Sequence, residues 1–162
     1  MLIRFGQWLR PSWRPWKRWN HTAIVAAVGD VTHNGNMERK IVCIQMSRKC
    51  EAVGLKYVSP NGYRKIFPCP PNVDRDKAVK YATSQLGVDY SVATIFSIAL
   101  TLITPKAFRF NFRRSGDGLI CSALVARAWE HGGWQCPTDP FQITPAELAQ
   151  IVYPEAKPNA CN

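Results

Sequence analysis

Cys121 stands where a thiol would be activated. It follows the turn signal Ser115-Gly116-Asp117-Gly118 and opens the run ICSALVARAWEHGG at 120–133. There Leu124, Val125, Ala128 and Trp129 share one helical face, and Gly132-Gly133 end the pattern. A helix start carries about half a positive charge and N–H groups without intrahelical partners. Both favour thiolate over thiol. The same amides can stabilise the oxyanion formed when a thiolate attacks a carbonyl. A lone cysteine is also a common buried core residue, so the reading needs a base. His21 supplies one: it opens the strand-like run HTAIVAAV at 21–28, and its ordinary pKa of about 6.5 suits proton exchange with a thiol. His33, in a turn, and His131, near a helix end, read as surface residues.

A third polar group would orient the imidazole. Gln45 and Glu51 are the candidates, and spacing does not choose between them. The Gln45 amide would hold one tautomer without adding charge. The Glu51 carboxylate would favour the imidazolium and strengthen a thiolate–imidazolium pair. Ser122 beside the nucleophile, and Trp16, Arg18 and Trp19 just before His21, are candidates for contact with substrate.

The elements that must position these residues fall in a simple order. Residues 21–28, 40–46, 53–59 and 63–69 read as four successive strands. GDVTHNGN at 29–36 and Pro60-Asn61-Gly62 read as turns, which suggests an antiparallel meander. Pro70-Pro71-Asn72 ends the sheet region. Asn72 or Asp74 can cap a helix with Ala78, Val79, Ala82 and Leu86 on its apolar face, and Gly87 is placed to end it. Residues 92–103 read as a second helix or a buried hairpin. The helix of Cys121 follows. Thr144-Pro145-Ala146-Glu147 is a capped start for a short helix to about Ile151. The fold class is α+β, a small antiparallel sheet packed against helices. The organisation is a basic, Trp-rich segment at 1–19, one domain at 20–152 and a tail at 153–162.

The composition bounds the function. The chain has 162 residues, 46% hydrophobic and 20% charged, which suits one globular domain and excludes global disorder. Its formal charge is +10, and residues 1–65 hold 12 basic residues against 3 acidic ones. That half makes a positive field suited to an anionic partner: nucleic acid, anionic lipid or a bacterial wall polymer. Residues 1–19 hold five basic residues and four of the six tryptophans, a pattern that packs on the domain or touches a membrane interface peripherally. No base-reading motif accompanies it, so no specific nucleic acid is expected. The six cysteines form no C-x-x-C pair and only three histidines are present, so neither a metal nor any other cofactor is expected. The cysteine count permits disulfides without requiring them. No apolar h-region is visible near residue 1, and the apolar run 92–103 is too short to span a bilayer.

The string WNHTAIV at 19–25 resembles the W-x-H-x-A-I-V stretch of permuted papain-fold amidases. These form the YiiX/YebB-like branch of the NlpC-like cysteine peptidases, related to lecithin retinol acyltransferase. Four further stretches resemble that branch in order: residues 51–55, LGVDY at 86–90, CSALVARAW at 121–129 and ITPAELA at 143–149. The likeness covers nearly all of residues 2–150. His21 precedes Cys121 by 100 residues, as the permuted order requires. The resemblance implies a permuted papain-like (NlpC-like) fold, Cys121 as nucleophile, His21 as base and Tyr90 lining the cleft, and its Glu-Ala match at 51–52 puts Glu51 ahead of Gln45 as the third group. Ala123 stands where the branch often has an acidic residue.

The function these readings imply is a cysteine hydrolase cleaving amide bonds through an acyl-enzyme. The implied substrates are bacterial wall peptides, with lipid acyl groups as the alternative. A phage tail or another delivery assembly would carry such an enzyme if it acts outside the cytoplasm. The competing reading is a catalytically silent basic binding module on the same fold. The aromatic-basic residues Trp13, Arg14, Trp16, Lys17 and Arg18 are expected beside the mouth of the site, because they lead directly into His21.

Overall fold

The computed structural model describes residues 21–33, 36–58, 66–103 and 118–154. Strands β1 (Ala23–His33), β2 (Asn36–Met46) and β3 (Cys50–Gly54) form an antiparallel sheet in the order β1-β2-β3. Five helices follow among the described residues: α1 (Leu55–Val58), α2 (Arg75–Ser84), α3 (Val92–Ile103), α4 (Cys121–His131) and α5 (Pro145–Val152). Among the described residues the fold is α+β, with the strands first and the longer helices after them.

The first hairpin is longer than its sequence suggests. Most of the expected turn at 29–36 is strand: Gly29 pairs with Lys40, Asp30 with Arg39 and His33 with Asn36. The exposed Arg39–Asp30 ion pair at 3.3 Å ties this outer part of the ladder across the strands. Only residues 34–35 separate the strands, and they lie outside the described residues.

The third strand comes earlier than expected, at Cys50–Gly54 rather than 53–59. The Ser47 amide bonds the Lys49 carbonyl at 3.1 Å, so the chain reverses tightly and pairing resumes at once, with Met46 opposite Cys50. Residues 55–58 are helical instead. The expected fourth strand is absent at 66–69, while 59–65 lie outside the described residues. Prolines 68, 70 and 71 remove the amide donors that a ladder there would need.

The helix starts follow the capping signals. Asp74, rather than Asn72, caps α2 and accepts from the Lys77 amide at 3.1 Å. Thr144 caps α5 through the Glu147 amide at 3.1 Å, with Pro145 in the first turn. Residues 92–103 form a helix, and Ser91 Oγ accepts from the Thr94 amide at its start. The core joins the sheet to α4: Ile44, Met46, Leu124, Ala128, Ile143 and Leu148 are all buried. No helix among the described residues is long and apolar enough to cross a membrane.

A short hydrogen-bonded relay fixes the start of α4 against the sheet. Residues 87–91 pair on one side with the β2–β3 turn, through Cys50 N–H to Val88 O at 2.8 Å and Tyr90 N–H to Arg48 O at 3.0 Å. On the other side Leu119 N–H reaches Asp89 O at 3.2 Å, and Ser91 N–H reaches Leu119 O at 3.1 Å. Gly87 opens this segment at φ 88°, a left-handed conformation that favours glycine. Gly118 closes it, and a Cβ there would overlap the Asp89 carbonyl. Since backbone on both sides is held, Gly118→Ala is expected to destabilise the fold by about 3 kcal/mol. Chemical denaturation of the variant checks this, and an unchanged midpoint would show that the relay is loose.

Candidate active site

The hydrogen-bonded relay sets Cys121 in the first turn of α4, and β1 brings His21 to it. The helix packs on both β1 and β2. The Cys121 thiol and the His21 imidazole lie close enough for each to shift the other's pKa. Ile120 occupies the cap position of α4 and provides no side-chain cap. In α2 and α5 a cap side chain takes one of the first-turn amides. At α4 no side chain competes with a thiolate or an oxyanion for them.

The imidazole is held from the sheet. Ala23 pairs with Gln45, so His21 lies diagonally across from Gln45, within reach on one face. His21 Nε2 lies 2.9 Å from Gln45 Oε1. Gln45 is in turn directly opposite Glu51, and its Nε2 donates to Glu51 Oε1 at 3.1 Å. This order corrects the leading choice for the third group: Gln45 holds the imidazole, and Glu51 acts on Gln45. The two candidates are successive links of one chain. An ionised Glu51 carboxylate only accepts, so it turns the Gln45 NH₂ toward itself and the oxygen toward His21. The proton of a neutral imidazole is thereby kept on Nε2, which leaves Nδ1 to face the sulfur.

The pKa shifts of the two groups both run toward an ion pair. Burial opposes a charged His21, but the neighbouring Cys121 sulfur and the Gln45 oxygen outweigh it and raise the imidazole above 6.5. Burial likewise opposes a charged Cys121. Here His21 and Thr22 prevail, and the thiol lies below its ordinary value of 9.0. The other cysteines among the described residues move the opposite way: Cys43, Cys69 and Cys136 are raised, chiefly by burial, and Cys50 is pushed up to about 11. These cysteines are all free thiols.

Sequence reasoning missed Thr22. Its backbone amide and its hydroxyl both help lower the Cys121 thiol, and the buried hydroxyl has no hydrogen-bond partner in the free protein. Its one signal was adjacency to His21. Tyr90 lies close enough to Cys121 for a thiolate there to raise its pKa, after the larger effect of burial, but it is not among the residues that line the cavity beginning at His21. Ser122 does not contact substrate space: it is fully buried, and its hydroxyl donates to the Ile143 carbonyl at 2.5 Å. It packs α4 on the segment before α5. Trp16, Arg18 and Trp19 lie outside the described residues, as do Trp13, Arg14 and Lys17. Among the described residues no cluster of three or more His, Cys, Asp or Glu is placed to hold a metal. Compared with protein-family models, with curated proteins and with solved structures, the chain matches none.

The linked geometry separates the two polar groups by experiment. Gln45→Ala removes an acceptor from the imidazolium, worth about 1.5–3 kcal/mol, so turnover should fall roughly 10- to 100-fold. His21 should also titrate lower, moving the alkaline limb of the pH profile down. Glu51→Ala leaves the first hydrogen bond in place and should cost less. A larger loss in Glu51→Ala than in Gln45→Ala would reverse these roles.

Proposed function

We propose that this protein is a cysteine hydrolase on a permuted papain-like fold, cleaving an amide-type bond through an acyl-enzyme. The observation that carries the reading is Cys121 in an uncapped helix start beside His21, whose imidazole helps lower its thiol while other thiols are raised. Cys121 thiolate attacks the carbonyl carbon, and the carbonyl electron pair moves to oxygen beside the first turn of α4. Collapse of the tetrahedral intermediate breaks the bond to the leaving group, which takes its proton from His21. A thioester on Cys121 remains. Neutral His21 then accepts a proton from water as the water oxygen attacks. Breaking the C–S bond releases the carboxylic acid and restores the thiolate–imidazolium pair.

Family likeness points the substrate toward bacterial wall peptides, and with them toward a phage tail or other delivery assembly. A second reading, acyl groups from lipids, is favoured by an apolar cavity that begins at His21. The reaction class is tested by iodoacetamide labelling at pH 6 followed by peptide mapping. Cys121 should label ahead of Cys43, Cys50, Cys69 and Cys136. Uniform labelling, or labelling led by another cysteine, would remove the nucleophile and with it the enzyme.

A further inference from the structure

Among the described residues three buried side-chain polar atoms have no hydrogen-bond partner: Thr22 Oγ1, Arg127 Nε and Tyr153 Oη. Arg127 still pairs its guanidinium with Glu130 at 2.7 Å. The Thr22 hydroxyl is the one that adjoins Cys121. It lies close enough to the sulfur to favour the thiolate, yet it makes no hydrogen bond in the free protein. Thr22 stands directly before β1, and with His21 it lines a cavity of about 620 Å³ that runs along that strand. Cys121 itself is only 1% exposed, so a substrate carbonyl reaches the sulfur past these two residues. A buried hydroxyl without a partner destabilises the state in which it is left unpaired. Its position beside the sulfur points to another state, one in which it is paired.

Resting on the hydrolase reading above, we propose that Thr22 is a catalytic residue whose hydroxyl donates to the oxyanion formed when Cys121 attacks a carbonyl, together with the uncapped first-turn amides of α4. Sulfur is a weak hydrogen-bond acceptor, so the hydroxyl gains little from it in the free enzyme. As the S–C bond forms, the carbonyl π pair moves onto oxygen. The negative charge leaves the sulfur for a compact atom bonded to the same carbon, beside the same donor. A hydroxyl donating to an oxyanion makes a short, charge-assisted bond, about twice as strong as a neutral one. The interaction is therefore stronger in the transition state than in the ground state, which is the condition for raising kcat. When the intermediate collapses, the pair returns to re-form the carbonyl and the bond to the leaving group breaks.

The test treats the whole chain with two reagents. Iodoacetamide alkylates a thiolate at a saturated carbon and expels iodide, with no oxyanion. p-Nitrophenyl acetate acylates it through an oxyanion and expels p-nitrophenolate, which needs no proton from His21. Peptide mapping locates both adducts. Both rates are compared on the pH plateau where Cys121 is fully ionised, so the help Thr22 gives to ionisation cancels. Thr22→Val keeps the shape of the side chain and loses the hydroxyl. Its acylation rate at saturating ester should fall roughly 100-fold, as for the loss of one oxyanion donor, with KM and the alkylation rate near those of the parent. Its denaturation midpoint should be unchanged or higher, because an unpaired buried hydroxyl has gone. Thr22→Ser keeps the hydroxyl and should keep most of the acylation rate. If Thr22→Val does not fold by circular dichroism, Thr22→Ala carries the same comparison. Alkylation and acylation falling together would confine Thr22 to the thiolate and overturn the proposal. Unchanged acylation, or a loss in Thr22→Ser as large as in Thr22→Val, also overturns it. A parent that is alkylated at Cys121 but not acylated there overturns it while leaving the nucleophile in place. Absence of selective alkylation at Cys121 overturns the hydrolase reading itself, and this inference with it.

Discussion

Cys121→Ala is expected to abolish hydrolysis, with a fall in kcat on the order of 10⁶-fold. The loss is that large because the acyl-enzyme route closes entirely, leaving only substrate binding and the helix-start amides. Cys121→Ser separates chemistry from structure. It keeps the approximate shape of the side chain, but a hydroxyl does not ionise beside His21 as a thiol does. It should therefore be nearly as inactive as the alanine variant. Since Cys121 is buried in the core cluster, Cys121→Ala leaves a small void, whereas Cys121→Ser should unfold close to the parent. Single-turnover mass spectrometry supplies the positive control: the parent should accumulate an acyl adduct on Cys121 alone. Residual turnover above one hundredth in the serine variant would assign the reaction to another group.

His21→Ala should be the next most damaging change, on the order of 10⁴-fold or more in turnover. Its second consequence is a change in the pH dependence of the thiol. On the hydrolase reading, the reactive ion pair of the parent should form as pH rises through the Cys121 pKa, which lies below 9.0. It is lost as pH rises through the His21 pKa, which lies above 6.5. The pair titrates as a unit, so activity should follow a bell whose two limbs belong to the pair. Without the imidazole, burial is the largest influence left on Cys121 and raises its pKa, opposed by Thr22. Iodoacetamide labelling of Cys121 in His21→Ala should therefore shift to higher pH and become slow at pH 6. A labelling profile unchanged from the parent would show that His21 does not set the thiolate.

The parts of this protein legible in its sequence are those that local physics decides. The caps of α2 and α5 follow from Asp74 and Thr144, whose side chains meet first-turn amides a few residues away. The helix of Cys121 follows from its apolar period and closing glycines, and the short apolar run at 41–44 before Gln45 gives a strand. The Cys121–His21 pairing was legible only as residue types in a suggestive order, because no local rule joins residues 100 positions apart. Tertiary structure decided the rest. Strand register placed Gln45 beside His21 and Glu51 behind Gln45, a choice that spacing along the chain left open. The β2–β3 turn decided that pairing resumes at Cys50, and so which residues face Gln45. The relay through residues 87–91 and 118–119 carried the helix start to the sheet, and with it made Thr22 a neighbour of the sulfur. It also turned Ser122 into a core hydrogen bond rather than a substrate contact. Caps and periods act over a few residues along the chain. Register, burial and the balance of charge at a thiol depend on groups that only the folded chain brings within hydrogen-bond range.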